Sequence, residues 1–147
     1  MKLTDSSAAE VGTSDVKAIT SETASFRQFM VYAATTLSSV ISGAIGIVKN
    51  GTGTLTLTGN NTYTGATSIS AGSIIVPKTI GASTATATFS ATLSVSFNVS
   101  PPSGTTTFRF FSGATTNSYA SVTLVGVPVG TTATYASATS TLSVTVP

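Results

Sequence analysis

Side-chain catalysis needs acids, bases or nucleophiles held at fixed spacing, and this chain of 147 residues offers few of them. Its carboxylates are Asp5, Glu10, Asp15 and Glu22, all within the first 22 residues. A glycosidase-type pair must be held about 5–10 Å apart across a rigid cleft. These four acids lie in or just after "MKLTDSSAAEVGTSDVK", a polar, small-residue-rich stretch without clear periodicity that would not hold them so. The chain has no Cys and no His, which removes thiolate nucleophiles, disulfides, zinc sites and imidazole bases together. A serine–lysine arrangement is compatible with the composition, yet no strained nucleophile turn marks any serine. The expectation is a protein that is not an enzyme, with no catalytic, cofactor-binding or metal-binding residues and no cofactor.

Binding chemistry is nearly as sparse. Sugar sites stack saccharides on aromatic rings, but Trp is absent, and Tyr63 and Tyr119 are the modest candidates, both better read as packing or turn residues. Triplets of the glycosylation type begin at Asn50, Asn60 and Asn98 and are read as coincidences of a Thr-rich chain. Charged residues make up 7% of the sequence, against roughly 25% in ordinary soluble domains. Beyond the acids the cations are Arg27, Lys49, Lys78 and Arg109, scattered rather than clustered. A phosphate-binding face needs a patch of Lys and Arg, so no nucleic acid is expected as a partner. So few charges leave hydration to Ser and Thr, or hide much of the surface in an assembly.

Most of the chain is patterned for strands. Residues 1–22 read as an extended N-terminal arm, with Asp5, Glu10, Asp15 and Glu22 as its partner-binding candidates. Residues 28–48 lack charge, but Ser, Thr and Gly interrupt them and no membrane span is expected. Phe26, Met30, Ala33, Leu37 and Val40 fit helical spacing, while "SSVIS", Gly43 and Gly46 favour strands, so residues 23–35 are open between helix and strand. From there to Val76 short runs of four to eight residues alternate with Gly and Asn turns. In "TLTLT", Leu55 and Leu57 face one side and Thr54, Thr56 and Thr58 the other. Asn60 and Asn61 suit a tight bend.

Downstream, Ala85, Ala87, Phe89, Ala91, Leu93, Val95, Phe97 and Val99 alternate with polar residues. That predicts one long strand or two strands meeting at a bend. "PPSG" at 101–104 then makes a turn, and further strands follow at turn-marked intervals. The expected fold class is mainly β: a strand-repeat segment over 23–76, a linker over 77–83, and an antiparallel β-sandwich or jelly roll over 84–147.

The stretch "ISGAIGIVKNGTGTLTLTGNNTYTGATSISAGSI" is specific enough to name a likeness. It resembles the autotransporter-associated β-strand repeat of passenger domains in secreted bacterial adhesins, through the early "SG", "KNGTGTLTLTG", "NNTYTG" and the closing "SAG". The resemblance covers about Val40 to Val76 and implies one β-helix-like coil whose packing residues are Leu55, Leu57, Tyr63, Ile69 and Ile74. A coil cannot bury its apolar face alone, and solenoids need about three repeats. With no second copy in view, the partner is expected to be the downstream strands or other copies of the chain, most simply a homotrimer. No secretion signal or membrane barrel is read from the sequence. The functional expectation is a virion structural protein that decorates or cements a bacteriophage capsid, its arm on the major capsid protein or other virion proteins. The alternative is an adhesive fibre, spike or passenger segment at a cell surface.

Overall fold

The computed structural model describes residues 26–147, Arg27 as backbone only, and, also as backbone, residues 2–5, 10–11 and 18–19. Among these residues there are sixteen strands and no helix, so Phe26–Met30, open between helix and strand in the sequence, is a strand. Three short strands come first: β1 (Lys2–Asp5), β2 (Glu10–Val11) and β3 (Ala18–Ile19). They are followed by β4 (Phe26–Met30), β5 (Thr35–Leu37) and β6 (Val40–Ile41). The repeat-like stretch then supplies β7 (Gly46–Asn50), β8 (Thr54–Leu57), β9 (Thr67–Ile69) and β10 (Ser73–Ile80).

These strands wind as a solenoid. Phe26 pairs in parallel with Gly46 and Ile47 with Thr67, twenty residues on in each case. Thr35 pairs with Leu55 at the same offset, and Leu55 with Ile74 at nineteen. A third face forms where the amides of Thr62 and Tyr63 donate to Ile41 O at 2.9 and 3.2 Å. The coil seen in the sequence is therefore the middle rung of three. The rung before it shares no motif with it, because stacking asks only for apolar residues facing inward and small residues at the corners. Phe29, Val31, Leu37, Ile41 and Ile45 meet that demand and are buried. The ladder is thus completed within one chain, and an uncovered coil no longer argues for a trimer.

The described parts of the expected arm add to this ladder. β1 runs antiparallel to β4, β2 antiparallel to β1, and β3 parallel to β6. Asp5 and Glu10 therefore stand on β1 and β2 at one edge of the sheet, and Asp15 and Glu22 lie outside the described residues.

β10 joins the two halves of the molecule. Ser73–Ile75 pair in parallel with β8, while Ile74–Ile80 pair antiparallel with β11 (Ser83–Phe89). Residues 77–83, expected as a linker, are instead the end of β10, a tight turn and the first residue of β11. Pro77 is tolerated because β10 has outrun β8 there and has a neighbour on one side only. The long alternating run folds back on itself, with β11 paired to β12 (Leu93–Phe97). One six-stranded sheet thus passes from the solenoid into the C-terminal half, ending at β14 (Val122–Val125).

Opposite it lies a three-stranded sheet of β13 (Gly104–Arg109), β16 (Thr141–Val146) and β15 (Thr132–Ala136). The result is a sandwich that is not wholly antiparallel as expected, because β14 runs parallel to β12. Its filling is Phe89, Leu93, Val95 and Phe97 from one sheet and Phe108, Leu142 and Val144 from the other, all buried. Phe97 and Phe108 meet edge-on with ring centroids 5.3 Å apart. Each such side chain contributes about 1.5–3 kcal/mol on leaving water. The buried apolar residues of solenoid and sandwich form one continuous cluster.

Candidate functional site

The five packing candidates, Leu55, Leu57, Tyr63, Ile69 and Ile74, all lie in the core. Tyr63 is fully buried, so it offers no face to a sugar; its hydroxyl is 2.6 Å from Thr67 Oγ1, itself buried. Burial pushes the Tyr63 phenol well above its ordinary value, the Thr67 hydrogen bond opposing in part. Tyr119 is a packing residue too, with its ring 6.1 Å from Phe89 and 5.7 Å from Tyr135 and its hydroxyl donating to Ser90 O at 3.1 Å. Burial, and secondarily the neighbouring Tyr135, raise its pKa to about 12. Tyr135 is also raised by burial, with hydrogen bonds to Thr115 and Ser140 pulling the other way.

The repeat also carries a charge inside the core. Lys49 takes an inward position of β7, in register between Phe29 on one rung and Ile69 on the next, and is 0% exposed. Its stem fills an apolar column while its ammonium reaches the corner of the coil. There it donates to Asn50 O at 2.9 Å, Gly51 O at 2.8 Å and Ala71 O at 3.1 Å, using all three of its donors. Burial lowers its pKa from the ordinary lysine value. Gly72 leaves room for the ammonium: its φ is +69°, and a Cβ there would come within 2.7 Å of Lys49 Nζ. Lys49 is therefore structural, a clamp between the second and third rungs.

After that rung the ladder is closed by residues from the sandwich. Thr67 donates to Ala114 O at 2.8 Å and Thr116 donates back to Thr67 O at 2.9 Å. Alongside, Asn117 accepts from Ile69 N at 3.0 Å and donates from Nδ2 to Ile69 O at 3.2 Å, so one side-chain amide imitates a paired strand. An open edge would template pairing with other chains; here it is covered.

Residues 47–76 match the family described as passenger-associated-transport-repeat. The resemblance seen in the sequence is thereby shown, and the matched residues are the second rung and the start of the third. A stretch of 44 residues is 50% identical to the adhesin BmaC autotransporter of Brucella suis biovar 1 (strain 1330). That match covers 30% of this chain and 1% of the relative, so the chain spans a very small part of the length of the protein it resembles. No solved structure matches.

Two of the clefts among the described residues bear on function. One, of about 420 Å³, opens at the loop-bearing end of the sandwich and is lined by Ile80, Ala82, Ser100 and Pro102 among others. The other, of about 200 Å³, sits where solenoid and sandwich meet, and Asn60, Asn61, Lys78, Arg109 and Ser112 line it. No group of three or more His, Cys, Asp or Glu occurs among the described residues. No helix among them is long and apolar enough to cross a membrane, which leaves strands unaddressed. Sequence reasoning passed over Lys49, Lys78 and Arg109 as scattered charges. The available signal was their isolation, since no acid follows Glu22.

Proposed function

We propose that this chain is an adhesive segment of a bacterial passenger protein, exposed at the cell surface or outside the cell and working by binding rather than catalysis. The observation that carries this reading is the passenger-associated-transport-repeat at residues 47–76, folded as the middle of a continuous three-rung ladder. A solenoid of this kind supplies reach and stiffness, and the sandwich that covers its last rung supplies loops and clefts for contact. The likeness to an adhesin over 44 residues supports the same reading. These comparisons favour the adhesive alternative over capsid decoration, for which they give no support.

The test is to coat beads with the whole chain and measure attachment to animal cells and to extracellular-matrix surfaces. Saturable attachment that soluble chain competes away is the expected result. Beads that attach no better than albumin-coated controls, with the chain folded by circular dichroism, would overturn the reading.

A further inference from the structure

The cleft at the solenoid–sandwich junction collects two of the four cations that follow the last acid of the sequence, Lys78 and Arg109. Each comes from a different part of the fold. On β10, Lys78 shares the face of Ile74 and Val76, past the point where β8 has turned away at Asn60 and Asn61. Arg109 ends β13, and its guanidinium is steadied by its own chain: Nε donates to Phe111 O at 3.1 Å and Nη2 to Ser112 O. Ser112 Oγ in turn donates to Asn61 O at 3.4 Å, closing the wall of the cleft.

What remains unused on this wall is a set of donors. Asn61 Oδ1 accepts from Ile41 N at 2.8 Å, which fixes the amide with Nδ2 as its free end. Among the described residues no protein acceptor meets Asn61 Nδ2, Arg109 Nη1 or Lys78 Nζ. No carboxylate side chain occurs after Glu22, and the two acids with described backbone, Asp5 and Glu10, stand on the strands beyond the first rung. Two cations in one cleft, with no counter-charge among the described side chains, repel each other and are relieved by an anion. A guanidinium edge beside an ammonium suits a carboxylate. The amides of Asn60 and Asn61 and the hydroxyls of Thr62 and Ser112 around them suit the hydroxyls of a sugar. At about 200 Å³ the cleft is smaller than the 300–1,000 Å³ of ordinary ligand pockets, which favours one terminal unit over a long chain.

We infer that this cleft is a binding site for a carboxylated sugar, a uronate or a sialic acid, at the end of a glycan. The inference rests on the adhesive reading above and names the class of ligand for it. Lys78 and Arg109 hold the carboxylate, and Asn60 and Asn61 read the neighbouring hydroxyls.

The test measures binding of the whole chain to sialyllactose, to galacturonic acid oligomers, to lactose and to a polyglutamate peptide, by calorimetry at low and high salt. Binding of a carboxylated sugar that weakens with salt, with lactose silent, is expected. K78Q should weaken it about tenfold, the loss of one charge-assisted hydrogen bond. Lys78 makes no hydrogen bond to the described protein, so this variant keeps the fold. R109K keeps the charge but loses the planar fork, and should also weaken binding. Lactose binding equally well, polyglutamate binding alone, or affinity unchanged in both variants would each overturn the site. So would attachment of coated beads that none of the sugars inhibits, although the adhesive reading would then stand. Sugar binding without any bead attachment would leave the site standing and sink the adhesive reading.

Discussion

Lys49 Nζ donates to the carbonyl of Ala71, 3.1 Å away and 22 residues on, and so fastens the second rung of the solenoid to the third. Its other two bonds end on the corner of its own rung, at Asn50 and Gly51. Lys49→Met keeps the apolar stem and removes the cost of burying the ammonium. It also strips the donor from Gly51 O and Ala71 O; Asn50 O still accepts from Val31 N. Both lost bonds are part-buried, so water reaches the freed carbonyls in part. Losing two bonds from a charged donor still outweighs the relieved charge, and K49M should lose about 1 kcal/mol. Urea unfolding measures it, and a variant as stable as the parent would show the clamp to be idle. Lys49→Arg should not rescue, since the broader guanidinium has to fit against Gly72.

Alkali should unfold the protein through its tyrosines. Tyr63, Tyr119 and Tyr135 all have raised pKa values in the fold, that of Tyr119 reaching about 12. Above the ordinary value of 10.0 the unfolded chain releases these protons first, so the native state binds more of them and stability falls as pH rises. The contribution of Tyr119 is whole below pH 10.0 and is lost progressively through about 12; Tyr63 and Tyr135 act in the same direction. Lys49 works in the opposite sense: its lowered pKa lets the unfolded state hold more protons, so stability gains as pH approaches 10.5. The urea midpoint should hold or rise to about pH 10 and then drop, with the phenolate absorbance of these three tyrosines, beyond that of the exposed Tyr32, appearing together with unfolding. Full phenolate absorbance in a chain that is still folded would contradict this.

How far the sequence discloses this molecule depends on how local each feature is. The alternation of Leu55 and Leu57 with threonines sets which side of β8 is buried, because strand period is a property of neighbours in the chain. The hairpin between β11 and β12 is less visible, since its turn has neither Gly nor Pro. Ser90 Oγ makes it by donating to Thr92 O at 3.0 Å. The first rung is hidden from motif reading because Phe29 and Lys49 are equivalent in the stack but not in type. The linker expected at 77–83 failed on Pro77, which reads as a breaker until the end of β8 frees one side of β10. The cleft was out of reach, because Asn60, Lys78 and Arg109 meet only through the crossing of two sheets.

Asn117 should be intolerant of loss of its amide. Ile69 presents both its N–H and its C=O to this one side chain, at 3.0 and 3.2 Å. Asn117→Asp keeps an acceptor for the N–H but turns a carboxylate oxygen towards the carbonyl. Asn117→Ala leaves both groups for water to find. A loss of about 1–3 kcal/mol is expected for either, with the aspartate at the upper end. Hydrogen exchange localises the effect: the Ile69 amide should exchange faster in both variants, while the Leu142 amide of the sandwich keeps its protection. Equal acceleration at both places would mean that Asn117 holds the whole fold rather than the last rung.

Gly46 and Gly65 share a corner of the solenoid at which two rungs approach closely. A Cβ on Gly46 would stand 2.7 Å from Ala66 O, the carbonyl that accepts from Ile47 N at 2.8 Å. A Cβ on Gly65 would overlap the backbone of Ile45 and Gly46. Either alanine forces the rungs apart, and overpacking of this kind costs about 1–3 kcal/mol. The two sites press on one gap, so the first substitution opens space that the second can use. The double variant G46A/G65A should therefore lose less than the sum of the two single losses, by about 0.5 kcal/mol or more, as expected for residues in contact. Additive losses in urea unfolding would mean that the two corners yield independently and that the solenoid is softer along its axis than its stacking implies.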